Sequence, residues 1–209
     1  MPKVFDYEVL KPFPHKTFGC QLYKLQCEHI SNKSGHRCRR FQIIGAGFCW
    51  QHLETDRHLK IKKSTLPHGG LGLFAYNGTN NDAIVFSAPK KTKYGQRPGD
   101  FIIEYTGETL PRQEIDRRYG NYTAPYGADI NKQFVTDAAC LRSSGSIANH
   151  MSHSKANARL ISNRTSIRLE ATKNIRNGSE IFIDYGSEYQ LGDEGVEYRH
   201  QTVNYFPRR

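Results

Sequence analysis

The sequence predicts a mainly β protein, assembled from several small sheets, with a small metal-binding module at its N-terminal end. Three observations carry this reading. From Lys60 onward, short apolar segments alternate with Gly, Asn and Pro turns. One modest helical pattern interrupts them, so the repeating strand–helix–strand alternation of a parallel α/β fold is absent. Four of the five cysteines, Cys20, Cys27, Cys38 and Cys49, lie before residue 50, and only Cys140 follows.

Residues 1–19 carry Pro2, Pro12 and Pro14 among several aromatics with no clear period, and read as an extended arm. The spacing Cys27-x10-Cys38-x10-Cys49-x2-His52 then offers three thiolates and one imidazole, a full tetrahedral set for structural zinc. An odd cysteine count argues against a disulfide framework. Buried free thiols that pack as small hydrophobes are the alternative, but a metal explains both the clustering and the C-x2-H pair. Cys20 is the spare thiol and could replace Cys27.

Beyond the module, Asn77 to Arg97 is a polar stretch around the apolar Ala83-Ile84-Val85-Phe86 and reads as a strand or flap. Phe101 to Tyr105 is a strand. Pro111 to Tyr119 is a short helix, with Pro at its start and Gly120 at its end. Strands follow at Tyr126–Ile130 and Gln133–Asp137. A hairpin joins Ala158–Ile161 to Ser166–Ala171 through a turn at Asn163-Arg164, and the last strand is Glu180–Tyr185. The boundaries expected from this pattern are 1–58 for the arm and zinc module, 59–186 for the main β domain, and 187–209 for a tail. That tail holds Tyr189, Val196, Tyr198, Val203, Tyr205 and Phe206.

Thirty Lys and Arg against twenty Asp and Glu give a formal charge of +10, with local concentrations at Lys60–Lys63 and Lys90–Lys93. Such an excess favours polyanionic partners, and a weak DNA contact through the basic surface is expected. No apolar run approaches the ~20 residues that span a bilayer, and the first residues have no hydrophobic signal region. An intracellular protein with no membrane partner follows.

Four segments carry the chemistry. They are Gly69-Gly70-Leu71-Gly72-Leu73-Phe74-Ala75; Gly99-Asp100-Phe101-Ile102-Ile103-Glu104-Tyr105-Thr106-Gly107-Glu108; Asp137-Ala138 followed by Ser146-Ile147-Ala148-Asn149-His150; and Gly178-Ser179-Glu180-Ile181-Phe182-Ile183-Asp184-Tyr185-Gly186. The first is no P-loop, because no Gly-Lys-Ser/Thr follows it. In order and spacing the four resemble the SET-domain protein lysine methyltransferases, over roughly Lys62 to Gly186. The middle match departs most. Ser146-Ile147 stands where the family has Arg-Phe, and two residues are inserted before Asn157.

The resemblance implies a SET fold of small sheets with a pseudoknot near the C-terminus, and S-adenosyl-L-methionine as cofactor. It implies Tyr185 and Tyr105 as catalytic residues, and Gly70, Leu71, Gly72, Leu73, Asn149, His150 and Tyr185 as the cofactor site. Tyr105, Tyr126 and Ile183 would line the lysine channel. Ile183 holds the position where an aromatic hydroxyl would favour monomethylation, so di- or trimethylation is expected. No post-SET cysteines follow Gly186; the aromatic tail is expected to close the channel instead. The implied substrate is a histone tail or nucleosome, in chromatin and hence the nucleus. A methyltransferase of a non-histone protein, or a SET-like module that binds chromatin without catalysis, are the alternatives.

Overall fold

The computed structural model describes residues 25–43, 47–67, 69–79, 81–120 and 124–186. The N-terminal arm, Cys20 and the aromatic tail fall outside them. Within them the chain is mainly β and its sheets are small, as expected.

Helix α1 (Trp50–Arg57) leads into β1 (Leu59–Lys63), which pairs antiparallel with β2 (Leu71–Ala75). The short strand β3 (Ile84–Phe86) precedes a free-standing hairpin of β4 (Lys90–Thr92) and β5 (Gly95–Arg97). Next come β6 (Phe101–Tyr105), β7 (Glu108–Pro111), helix α2 (Arg112–Tyr119), β8 (Gly127–Asp129) and β9 (Phe134–Asp137). A 3-10 turn at Ser144–Ile147 introduces β10 (Asn149–His150). The hairpin β11 (Ala158–Ser162) and β12 (Ile167–Ala171) follows, then β13 (Ile175–Arg176) and β14 (Phe182–Ile183).

The main sheet has the order β10-β14-β11-β12-β6. In β12 the apolar Ile167, Leu169 and Ala171 alternate into the core, where Ile102 and Ile103 of the edge strand β6 join them. The turn between β11 and β12 is held by Asn163, whose Oδ1 accepts from the Ser166 amide at 3.0 Å and the Ser166 hydroxyl at 2.8 Å. Arg164 takes the left-handed conformation there, with φ 78°.

Helix α2 sits on the β7-β9-β8 sheet through a charged network. The Arg118 guanidinium donates to both oxygens of Glu108 at 2.8 and 3.2 Å, and to Oδ2 of Asp137 at 3.1 Å. The Tyr119 hydroxyl donates to the same Asp137 oxygen at 2.9 Å. Asp137 is fully buried, and a buried carboxylate stripped of its cation costs about 3–5 kcal/mol. Arg118 therefore fixes the helix to the sheet, and it brings Glu108 and Asp137 of two predicted motifs together.

The C-terminal topology decides where the site forms. β14 lies between β10 and β11 and is parallel to both, with His150 and Ala158 on either side of Ile183. Since residues 151–157 join β10 directly to β11, they cross over the inserted strand, and the chain is threaded as the expected pseudoknot. The 151–157 loop holds that strand: the Met151 amide donates to the Ile183 carbonyl at 3.0 Å and the Asn157 amide to that of Phe182 at 3.1 Å. The Asn157 side chain clamps it further, donating to the Glu180 carbonyl at 2.8 Å and accepting from the Phe182 amide at 2.9 Å.

Candidate active site and metal centre

Insertion of β14 collects the residues of three motifs. Tyr185 follows directly; its amide donates to His150 Nδ1 at 3.1 Å, and its hydroxyl donates to the Ala148 carbonyl at 2.8 Å. The His150 and Tyr185 rings lie 5.1 Å apart. With Nδ1 accepting, His150 carries its proton on Nε2 when neutral. The Asn149 carboxamide donates to the Leu71 carbonyl at 3.0 Å and to Glu180 Oε1 at 2.9 Å. It ties β2 to the last motif and keeps its own oxygen as an acceptor. Asn149-His150 is therefore the pair beside the last strand.

Glu180 is the organiser that the motif reading left without a role. It is 4% exposed. It accepts from the Ser64 hydroxyl at 2.7 Å, the Thr65 amide at 2.7 Å, the Thr65 hydroxyl at 2.6 Å and Asn149. Burial alone would raise its pKa; the donors of Thr65, Asn149 and Ser64 outweigh this and hold it below the ordinary glutamate value. Its carboxylate also explains Gly72. A Cβ there would lie 2.1 Å from Glu180 Oε1, so only glycine leaves room for the acid. The sequence signal was a lone carboxylate, Glu180, directly ahead of the apolar Ile181-Phe182-Ile183 run.

The other predicted channel residues sit on neighbouring elements. The Tyr105 hydroxyl donates to the Tyr126 carbonyl at 2.9 Å, and the Arg142 guanidinium covers the Tyr126 ring at 4.2 Å. Ile183 is 2% exposed. Tyr126, Tyr185, Tyr105 and Ile183 all pack into or against the one main core cluster. Gly70 has φ 59° and accepts the Ser64 amide at 2.9 Å; Leu71, which opens β2, is 51% exposed beside Asn149.

The cysteine spacing closes as a cluster. Antiparallel bridges pair Gln26 with Phe41 and Ile30 with Arg37. A tight turn at Gly35, with φ 67°, reverses the chain between Cys27 and Cys38. Cys49 caps α1 and His52 lies one turn in. Nδ1 of His52 is 3.4 Å from Cys27 Sγ and 3.3 Å from Cys49 Sγ. All four ligand atoms, Cys38 included, lie within 4.8 Å of one another. A tetrahedral zinc with the usual bond lengths separates N and S ligands by about 3.6 Å, so the residues fit such an ion. Burial pushes the Cys27 thiol up to about 11 and, with His29 beside it, pushes His52 below its ordinary value. A bound dication would offset the thiolate charge, while a neutral imidazole is the form that ligates. The His29 ring stacks on His52 at 3.7 Å and pairs with Asp56, so the ligand is held by an outer layer.

A family profile described as "SET domain" matches residues 92–186. The chain carries a SET domain. It is similar to the "Histone-lysine N-methyltransferase EZ2" of Zea mays, at 31% identity over 163 residues. It is likewise similar to the "Histone-lysine N-methyltransferase EZ1" of Oryza sativa subsp. japonica, at 24% identity over 163 residues. Each match covers 76% of this chain but 15% of the plant protein. The chain therefore spans a small part of those relatives. Among solved structures it resembles a chain of the Chaetomium thermophilum polycomb repressive complex 2, at 26% identity and a TM-score of 0.47. That match covers 64% of this chain and 16% of that one. The SET match takes in β5 to β14, and leaves the cysteine–histidine cluster and β1–β3 to be read from their own geometry.

Because its folded-state pKa is depressed, Glu180 contributes stability that is present above about pH 4.3, the unfolded glutamate value. That contribution is lost as pH falls through the lower folded value. Glu180→Gln should lower unfolding free energy at pH 7 by about 1–3 kcal/mol in urea titrations. The gap to wild type should narrow as the solution is acidified below pH 4. A constant gap across that range would show that the carboxylate charge is not what holds the motif.

Proposed function

We propose that this chain is an S-adenosyl-L-methionine-dependent protein lysine N-methyltransferase acting on a histone tail, and that Cys27, Cys38, Cys49 and His52 hold a structural zinc ion. The observation that carries the enzymatic reading is the junction of Tyr185, His150 and Ala148 within a SET domain. The residues present suit the cofactor. Asn149 retains a carboxamide acceptor and His150 an Nε2 donor, complementary to the ammonium and carboxylate of an amino acid. The exposed Leu71 offers apolar cover beside them. Gly70, Leu71, Gly72, Leu73, Asn149, His150 and Tyr185 would hold the cofactor, which supplies an electrophilic methyl on its sulfonium.

The protein's task is to present a neutral lysine in line with that methyl. A lysine amine titrates near ~10.4 in water, and desolvation in a narrow channel beside a positive charge lowers this. The amine proton then leaves through solvent before chemistry, and no general base is required. Tyr185 commits its hydroxyl proton to the Ala148 carbonyl, which aims its oxygen as an acceptor for the amine N–H or a methyl C–H. Tyr105 fixes the backbone of Tyr126 through its own hydroxyl, and both rings serve as channel walls. Ile183 brings no hydroxyl to hold a water in the channel, which supports products beyond monomethyl-lysine. On this reading residues 1–58 are an arm and zinc module, 59–186 the SET domain and 187–209 the closing tail, in a nuclear protein that meets chromatin.

Incubation with labelled S-adenosylmethionine and core histones or nucleosomes should label a histone lysine. Tyr185→Phe should lower the rate at least about 100-fold with its melting temperature kept, and mass spectrometry should find di- or trimethyl product under enzyme excess. Only monomethyl product would remove the role of Ile183, and no transfer to any protein would leave a SET-like binding module. For the metal, chelation at neutral pH should release one zinc per chain and lower the melting temperature. Purified protein that contains no zinc and cannot take it up would rule the site out.

A further inference from the structure

The hairpin of β4 and β5 plays no part in the site above, yet the whole of it is solvent-exposed. Eight residues, Lys90 to Arg97, carry four cations and no acid. Lys90 faces Arg97 directly across the ladder, a like-charged pair that disfavours the hairpin by itself. Two other lysines of the fold are occupied: Lys60 pairs with Glu54 at 3.0 Å, and Lys62 lies 4.1 Å from the centre of the Phe74 ring. Among the described residues, by contrast, Lys90, Lys91 and Lys93 have no acidic partner. Arg97 reaches Asp100 only at 3.7 Å, and that acid also takes the Ser87 amide at 2.8 Å, anchoring the base of the hairpin. Tyr94 at the tip is 87% exposed, with the Lys93 ammonium 4.8 Å from its ring centre.

We propose that this hairpin is a DNA-binding finger that engages the phosphate backbone of a duplex. The distribution of charge favours DNA over an acidic protein surface. Strand alternation puts Lys90 and Arg97 on one face of the ribbon and Lys91 on the other, with Lys93 at the tip. An acidic protein patch meets one face of a ribbon, whereas a DNA groove, wide enough for a two-stranded ribbon, presents a phosphate strand on each side. The exposed Tyr94 hydroxyl adds a donor of the type that contacts phosphates. DNA binding does not depend on methyl transfer. Its consequence, a preference for nucleosomes over free histone tails, rests on the proposed function.

The test compares wild type, a Lys90→Ala/Lys91→Ala/Lys93→Ala variant, and a charge-matched Lys33→Ala/Lys132→Ala/Lys155→Ala control, all full chain. Binding to a fluorescent 30-base-pair duplex of arbitrary sequence is followed by anisotropy across a salt series, with polyglutamate as competitor. The hairpin variant should bind roughly tenfold more weakly or worse at moderate salt, and its salt slope should fall by about one unit per lysine removed. The control should retain most of the affinity, and circular dichroism melting should be unchanged in both. Equal loss in the two variants, an unchanged hairpin variant, no duplex binding by wild type, or displacement by polyglutamate at equal charge concentration would each overturn the proposal. Methylation of a free histone peptide, measured in parallel, should be equal in all three proteins; its absence would defeat the enzymatic reading and leave the DNA result standing.

Discussion

A two-residue strand has too few ladder bonds to hold itself in a sheet, and β14 is Phe182–Ile183 alone. It stays between β10 and β11 because polar side chains grip its N-terminal end, while the Met151 amide holds the Ile183 carbonyl at the other. Asn157 bonds the backbone on either side of Ile181, and Glu180, one residue earlier, sinks its carboxylate among Ser64, Thr65 and Asn149. With those contacts in place Tyr185 can emerge only beside His150 and Ala148. The geometry of the candidate site is thus a consequence of the threading, and the acid that anchors the thread also dictates a glycine at position 72.

The same economy links the cysteine–histidine cluster to the SET domain. α1 supplies Cys49 and His52 from its first turn and buries Leu53 in the main core, beside Leu59 of β1. Glu54 reaches Lys60 across the junction. A metal that orders the first turn of α1 would therefore steady β1, its partner β2, and through β2 the Leu71 carbonyl that receives Asn149. The finger at Lys90–Arg97 stands outside this chain of contacts, which is why its charges are open to an external partner.

Much of this was legible in sequence where a local signal and a buried face coincided. The β6 strand was read at Phe101–Tyr105, and α2 starts one residue after its Pro and ends before Gly120 as expected. The β11–β12 hairpin turns on Asn163 because its side chain builds the turn. The clustering of Cys27, Cys38, Cys49 and His52 was readable because their residue types have few other reasons to cluster. The last strand was read too long, as Glu180–Tyr185. Glu180 is instead drawn off to the Ser64-Thr65 turn, and the Tyr185 amide to His150, both contacts distant in sequence. Helix α1 was missed because Leu53 is its single buried residue, too little to leave a periodic pattern. The 3-10 turn at Ser144–Ile147 was missed for a related reason: Gly145 lies against the Glu104 carbonyl, a tertiary contact with no local signature.

Threading of β14 through the fold would build one site for S-adenosylmethionine from Asn149, His150 and Tyr185. Calorimetry with S-adenosylhomocysteine, the product form that no turnover can consume, tests it without any assumption about the substrate protein. One binding site per chain is expected, weakened at least about tenfold by Asn149→Ala, which removes about 1.4 kcal/mol or more of binding energy. Substitutions on the exposed hairpin should not weaken binding. A wild-type protein that is folded, carries its metal and gives no binding heat or thermal stabilisation with the ligand would contradict it.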